Sequence, residues 1–250
     1  HHDLADRVQR ASVSAVVANA IDEDKFDGIG GITRITTGAA HDAWLSMAES
    51  ADLPAEARAV VTDADDPVLY YFTSGTTKDP KLVVHTQVSY PVGHLSTMYF
   101  LGVRPGDVHL NISSPGWGKH AWSSFFTPWN VGATIFVANY SRFDADHFVS
   151  ELDRARVNTF CAPPTVWRML IQHHLEHKPA ALREVISAGE PFNPEVIARI
   201  RDWWGLEIRD GYGQTETTAL IATMPGESVV PGAMGLPLPG VNAVLIDPLT

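Results

Sequence analysis

Apolar residues recur along this chain in two alternating rhythms. Short apolar runs bounded by turn residues, at 14–18, 68–73, 108–112, 134–138, 159–162, 184–187 and 207–209, predict strands, and 241–246 predicts one more that opens a further sheet. Between them the spacing becomes helical. Asp144 can cap a segment whose Phe148, Val149, Leu152 and Ala155 share a face, and Val166, Met169, Leu170 and His173 follow Pro163-Pro164 at i, i+3, i+4, i+7. Asn193-Pro194-Glu195 supplies a cap, a first-turn proline and an acid at the positive end of the helix dipole, and Gly205 ends that helix. Strands alternating with helices predict an α/β fold of layered sheets with helices on both faces. Two stretches lack either rhythm. Residues 21–40, with Gly28, Gly30, Gly31 and Gly38, predict a long surface connection, and the Pro- and Gly-rich stretch 223–239 predicts a boundary before the final strand.

At 250 residues the chain holds one large domain or two smaller ones, and 45% hydrophobic with 19% charged residues indicates a packed globular core. The formal net charge of −11 argues against general nucleic-acid binding, because phosphate backbones are gripped by surplus Lys and Arg. No run approaches the roughly 20 apolar residues that cross a bilayer, and the first residues lack the basic-then-apolar order of a signal peptide, so the expected setting is cytoplasmic. The one cysteine, Cys161, lies in the apolar run Thr159-Phe160-Cys161-Ala162 and reads as a small buried hydrophobe.

The strongest chemical signal is Tyr70-Tyr71-Phe72-Thr73-Ser74-Gly75-Thr76-Thr77-Lys78-Asp79-Pro80-Lys81. An apolar strand runs into hydroxylated residues around a glycine, followed by lysine. Gly75 lets backbone N–H groups turn toward an anion, the hydroxyls of Thr73, Ser74, Thr76 and Thr77 add donors, and Lys81 adds a full charge. Neither Walker A nor Gly-x-Gly-x-x-Gly spacing is present, and composition alone leaves a polar surface turn open. Two further segments end short strands, where open α/β sheets place ligands: Ser187-Ala188-Gly189-Glu190-Pro191 and Asp210-Gly211-Tyr212-Gly213-Gln214-Thr215-Glu216. Taken singly, each is equally a turn with a capping acid. A zinc site at His173, His174 and His177 finds no Glu or Cys at a metal spacing, which favours a solvated helix.

Together and in this order, the three segments resemble the adenylate-forming superfamily of acyl-CoA synthetases, firefly luciferase and peptide-synthetase adenylation domains. The resemblance covers roughly 68–247 and includes Phe160–Thr165 and Gly232–Pro237. It departs from the usual pattern at Lys78, where most members have glycine. It implies that the Thr73–Lys81 loop restrains the β- and γ-phosphates of ATP, and that Gly189, Glu190 and Pro191 form the adenine-contacting turn. Within Asp210, Gly211, Tyr212 and Gln214 it implies that Tyr212 packs on the base, with Thr215 meeting the α-phosphate and Glu216 holding Mg2+. Each role suits its chemistry: a flat ring for a base, a hydroxyl for an oxyanion, a hard carboxylate for a hard cation.

Peptide-synthetase domains usually present an aspartate about forty residues past the loop, whereas Ser113-Ser114-Pro115-Gly116-Trp117-Gly118-Lys119-His120-Ala121-Trp122 contains no acid. A buried substrate ammonium would lack a partner there, which disfavours an amino acid. The stretch looks most like medium-chain acyl-CoA synthetases, with Trp117 and Gly118 as acyl-pocket wall. Gly213 stands where acetyl-CoA synthetases have a pocket-closing tryptophan, implying room for a medium-chain or branched acid. The implied reaction is ATP-dependent formation of an acyl-adenylate and then a thioester with CoA. The alternatives are a non-catalytic nucleotide-binding fragment and a ligase loading an acyl-carrier thiol. Residues 1–240 are then expected to be part of the large ATP- and acyl-binding domain and 241–250 the start of the following sheet, the small C-terminal domain being absent and the fragment alone an incomplete catalyst. The oligomeric state has no sequence signal.

Overall fold

The computed structural model describes residues 2–54, 56, 59–73, 80–140, 142–173, 175, 177–190 and 192–247. They divide into two compact units, His1–Asp63 with Phe72–Leu82, and Ala64–Tyr71 with Val83–Thr250.

The first unit opens with helix α1 (His2–Arg10), followed by strands β1 (Ala15–Ala18), β2 (Thr33–Thr36) and β3 (Leu45–Ser46), which form a parallel sheet in the order β1-β2-β3. Phe26, Ile29 and Trp44 make its core, with Leu4, Val8, Val16 and Ile32 packed around them. The stretch predicted as one long connection, 21–40, therefore contains ordered structure: a 3-10 turn over Ala20–Phe26 and β2. Thr-Arg-Ile-Thr is too short and polar to announce itself among glycines, and it becomes a strand because β1 and β3 supply its hydrogen-bond partners.

Strands β4 (Pro67–Thr73) and β5 (Lys81–Thr86) form a two-stranded ribbon. The second unit continues through α2 (Ser89–Leu101), β6 (Val108–Asn111), α3 (Gly118–Ala121), a π turn (Trp122–Phe126), α4 (Thr127–Val131), β7 (Thr134–Ile135), α5 (Ala145–Arg154), β8 (Thr159–Ala162) and α6 (Pro164–Ile171). It ends with β9 (Glu184–Ala188), α7 (Pro194–Trp204), β10 (Arg209–Gln214), β11 (Thr218–Ala222) and β12 (Leu236–Pro237). Its sheet has the order β12-β11-β10-β9-β8-β6-β7, with the pairs from β7 to β10 parallel and those of β11 antiparallel.

The period of two along β8 builds a core on each face. Phe160 and Ala162 pack with Phe148 and Leu152 of α5, Trp167 and Leu170 of α6 and Ile200 of α7. Cys161, between them, points to the opposite layer, with Phe100 and Leu101 of α2 and Ala219 and Ala222 of β11. Cys161 is a free, buried cysteine, as its apolar neighbours indicate. The predicted caps are in place: Asp144 accepts from the His147 N–H at 2.8 Å, Asn193 from the Glu195 N–H at 2.9 Å, and Gly205 closes α7 at φ 65°.

Four local expectations are corrected. The strand expected at 207–209 begins at Arg209 and runs to Gln214, so the motif lies inside the strand. The strand expected at 134–138 shrinks to Thr134–Ile135. Residues 241–246 form no strand: no described strand pairs with them, and Val244, Leu245 and Ile246 stand exposed. On α6 the buried face is Val166, Trp167 and Leu170, while Met169 is 37% exposed and the helix stops at Ile171, before His173. That early stop also separates the histidines: His173 faces Asp146 at 3.7 Å and His177 faces Asp153 at 3.9 Å, while His174 lies outside the described residues.

Candidate functional site

The carboxyl end of the seven-stranded sheet is where the sequence-predicted groups of the second unit meet. Asp210 and Gly211 of β10 pair in register with Ser187 and Ala188 of β9, setting two of the three motif segments side by side. Beyond Ala188 the chain turns through Gly189 to Glu190, whose carboxylate lies 3.6 Å from Arg168; Pro191 lies outside the described residues. Tyr212 is 37% exposed, open to a stacking partner.

Thr215 and Glu216 occupy the tight turn between β10 and β11. The turn is closed by the Thr217 N–H on Gln214 O at 3.1 Å and by Thr217 Oγ1 accepting from the Gln214 N–H at 3.1 Å. Thr218 then adopts φ 61°, an uncommon conformation for a β-branched residue, and is held in it by donating from Oγ1 to Gly93 O of α2 at 2.8 Å. His85 Nε2–H donates to Thr215 O at 2.6 Å, which fixes the turn from another side and assigns the hydrogen to Nε2. The remaining side is Gly118: a β-carbon there would lie 3.2 Å from Thr215 Oγ1, so the wall residue and the turn threonine touch. Thr215 is half-buried and Glu216 exposed, a hydroxyl and a carboxylate presented on a rigid support.

Gly213 has a second reason to be glycine. β10 and β11 slip register between Tyr212 and Gly213, and a β-carbon at 213 would fall 1.9 Å from Thr218 O. A side chain at this position therefore requires the hairpin to open, whatever its effect on an acyl pocket. Trp117 is 59% exposed at the start of α3, which rules out a core aromatic.

Residues the sequence analysis did not single out complete this region. Lys119, one position past Gly118, donates to Ala188 O at 3.1 Å and joins α3 to the end of β9. His85, Gly93 and Thr218 shape the turn. No sequence pattern marks them, because each acts across at least 100 residues of chain or through backbone atoms. Burial raises the Asp210 carboxyl to about 6, opposed by the Gly211 N–H at 2.9 Å and by the Lys119 charge. Behind the site, burial holds His109 down at about 4 and His94, near His85, at about 3.

In the first unit, Thr73 ends β4 and exposed Lys81 opens β5. Residues 74–79, which include Ser74, Gly75, Thr76, Thr77 and Lys78, lie outside the described residues. Two cations unforeseen from sequence flank this segment: Arg7 and Arg10 lie 5.3 and 5.1 Å from the Phe72 ring, and Arg10 donates to Pro80 O at 2.7 Å.

Comparison with known proteins fits this geometry. The chain is 50% identical over 188 residues to 4-hydroxybutyrate–CoA ligase 1 of Metallosphaera sedula, covering 74% of this chain and 33% of that protein. It is 32% identical over 254 residues to the human mitochondrial acyl-coenzyme A synthetase ACSM3, covering 98% of this chain and 43% of that one. It thus spans well under half the length of these curated relatives. Among solved structures, a Brucella canis acyl-CoA synthetase superposes with a TM-score of 0.86 at 26% identity, over 98% of this chain and 47% of that one. The anthranilate CoA ligase AuaEII, bound to anthranoyl-AMP, has the same fold with a TM-score of 0.89 at 20% identity, over 99% of this chain and 50% of its own. The match to the AMP-binding enzyme family runs over residues 1–250, the whole chain, and it is to this family that the chain belongs.

Proposed function

We propose that the protein activates a carboxylic acid with ATP, forming an acyl-adenylate and pyrophosphate, and then passes the acyl group to the thiol of CoA. The observation that carries this reading is the β10–β11 turn at the carboxyl end of a parallel sheet, which holds Thr215 against Gly118 and leaves Glu216 exposed beside it. A carboxylate resists thiols because its oxygen leaves poorly, and transfer to the α-phosphate provides a better leaving group. In this reading the Thr215 hydroxyl donates to the α-phosphate as charge shifts onto its oxygens. Tyr212 and the Gly189-Glu190-Pro191 turn hold the base, and Thr73, the 74–79 segment and Lys81 restrain the outer phosphates.

Mg2+ suits this set. Exposed Glu216 would offer the ion a hard carboxylate oxygen, the ligand type that Mg2+ prefers. Bound there, it would neutralise phosphate charge.

We assign residues 1–240 to part of a large ATP- and acyl-binding domain within a longer protein that also has a small C-terminal domain. The acid is proposed to be medium-chain or branched. Because the hairpin itself excludes a side chain at 213, that size argument passes to Gly118, whose missing side chain leaves Thr215 open. The relative from Metallosphaera is named for a hydroxy acid, which puts oxygen-bearing acids in the same assay panel. No described helix is long and apolar enough to cross a membrane, and a cytoplasmic setting is proposed, although several relatives are named mitochondrial.

Calorimetric titration with a non-hydrolysable ATP analogue and Mg2+ tests the site. The Lys81→Ala, Tyr212→Ala double variant should bind about 100-fold more weakly, from losing one charge-assisted contact and one stacked ring. Equal affinity in the variant would refute these assignments, and its loss would leave a non-catalytic nucleotide module to be separated by pyrophosphate exchange. Comparing CoA with an acyl-carrier thiol as acceptor decides the last step.

A further inference from the structure

Helix α1 carries a core contact on one side and two arginines on another. Leu4, Ala5 and Val8 pack against Phe26, Ile29 and Trp44, while Arg7 and Arg10, at i and i+3, lie over the ring of Phe72 with their guanidinium carbons 5.3 and 5.1 Å from its centroid. The helix end that bears them is closed by the Ala11 N–H on Arg7 O at 3.0 Å and the Val13 N–H on Val8 O at 2.9 Å, across Ser12 at φ 51°. Each arginine also pairs with an acid one turn back on the helix surface, Asp3 or Asp6, both at 3.1 Å, and such pairs contribute little.

Arg10 reaches further. Its Nη2 donates to Pro80 O at 2.7 Å, so one guanidinium touches both Phe72, which directly precedes Thr73 at the end of β4, and Pro80, which directly precedes Lys81 at the start of β5. All of these residues belong to the first unit. A planar fork suits the double contact, since the face of the group lies on the ring while its terminal nitrogens donate to Asp6 and to Pro80. Thr73 and Lys81 have to converge on one anion to restrain it together, and fixing two separate stretches of chain around a ligand costs conformational entropy. An arginine that already holds the neighbours of both lowers that cost before the ligand arrives.

We propose that Arg10 is a positioning residue for the outer phosphates: by holding Phe72 and Pro80 at once it sets the separation of Thr73 and Lys81. This inference rests on the adenylate-forming reading above, in which those two residues restrain the β- and γ-phosphates. A residue that merely stapled α1 to the ribbon would affect stability and all nucleotides alike, whereas a positioning role discriminates between nucleotides with and without outer phosphates.

The test is calorimetric titration, in Mg2+, with two probes: α,β-methylene ATP, which carries the outer phosphates, and AMP, which lacks them. Arg10→Met should weaken the triphosphate about tenfold and leave AMP within about twofold, as expected for losing one hydrogen bond from a charged donor that serves only the outer phosphates. Arg10→Lys, which keeps a cation at the ring and a donor for Pro80 O, should recover part of the loss. Arg7→Met, which takes a cation from Phe72 and no described contact from Pro80, should weaken the triphosphate less than Arg10→Met does. Most of the tenfold factor should survive raised salt, because the bond is to a neutral carbonyl; a factor that vanished with salt would make Arg10 a direct charge partner of the phosphates and overturn the positioning role. Unchanged triphosphate binding in Arg10→Met, equal losses for both probes, or an equal effect of Arg7→Met also overturns it. Should Arg10→Met fail to fold, Arg10→Lys decides, since an unchanged ratio of triphosphate to AMP affinity in that variant refutes the proposal. If wild-type protein bound neither probe, the adenylate-forming reading itself would fall, an outcome distinct from binding of both without discrimination by the variants.

Discussion

Replacing Arg209 by methionine should cost about 3–5 kcal/mol of stability, read as a lower urea midpoint at unchanged slope, because it leaves a buried charge and several carbonyls without partners. The guanidinium is 5% exposed and tied on all sides: to Glu184 at 2.9 Å, to Thr223 O at 3.0 Å, to Leu101 O at 3.3 Å and to Phe100 O. Phe100 and Leu101 end α2, so their carbonyls have no partner further along the helix, and Arg209 satisfies both. One side chain thereby binds the end of α2, the start of β9 and the end of β11 to the first residue of β10. The Glu184→Gln, Arg209→Met double variant should recover part of the loss, since the stranded carboxylate is then neutral. A single variant within about 1 kcal/mol of wild type would show that this hub is not structural.

Arg209 also shows where sequence reasoning ends. Its partners lie 14 to 109 positions away, and no pattern near residue 209 announces them. Caps and turns were legible because their partners are two to four residues off: Asp144, Asn193 and Gly205 act within about a single turn of chain. The fully buried strand Thr159–Ala162 was legible because both of its faces are covered, so it reads as a continuous apolar run. β5 and β11 were not, since Lys81–Thr86 begins as a charged sequel to the phosphate segment and Thr218–Ala222 follows a polar turn; pairing with β4 and β10 decides both. In the candidate site, the chemical groups Tyr212, Thr215 and Glu216 were visible as residue types. Their supports were not, because His85 acts on a backbone carbonyl 130 residues away and Thr218 on another across 125.

Stability should also fall as pH drops from 7 to 5, by about 2–3 kcal/mol, and the buried histidines set the sign. His94 is fully buried on α2 with neither ring nitrogen hydrogen-bonded, edge-on to Tyr90 at 4.4 Å and near Phe126 at 5.5 Å. Burial, with His85 nearby, holds it at about 3, and burial holds His109 at about 4, whereas both would titrate near 6.5 in an unfolded chain. Between pH 6.5 and 4 the unfolded state therefore binds protons that the folded state refuses, so their contribution is complete above 6.5 and is lost as pH falls. Asp210 works in the opposite direction. Its carboxyl titrates near 6 when folded and 3.8 when not, so between those values the folded state holds a proton the unfolded chain releases, and folding is favoured as pH falls. Two histidines against one carboxylate leave about one net proton, or about 1.4 kcal/mol per pH unit, over most of the range. Urea unfolding across this range should show the loss, and His94→Phe, which keeps an aromatic ring between Tyr90 and Phe126, should remove most of it. Asp210→Asn should instead steepen it by taking away the only one of these three groups that favours the folded state in acid. If the His94→Phe curve ran parallel to wild type, the ring would have to be protonated in place, and its orphaned nitrogens would need partners within the fold.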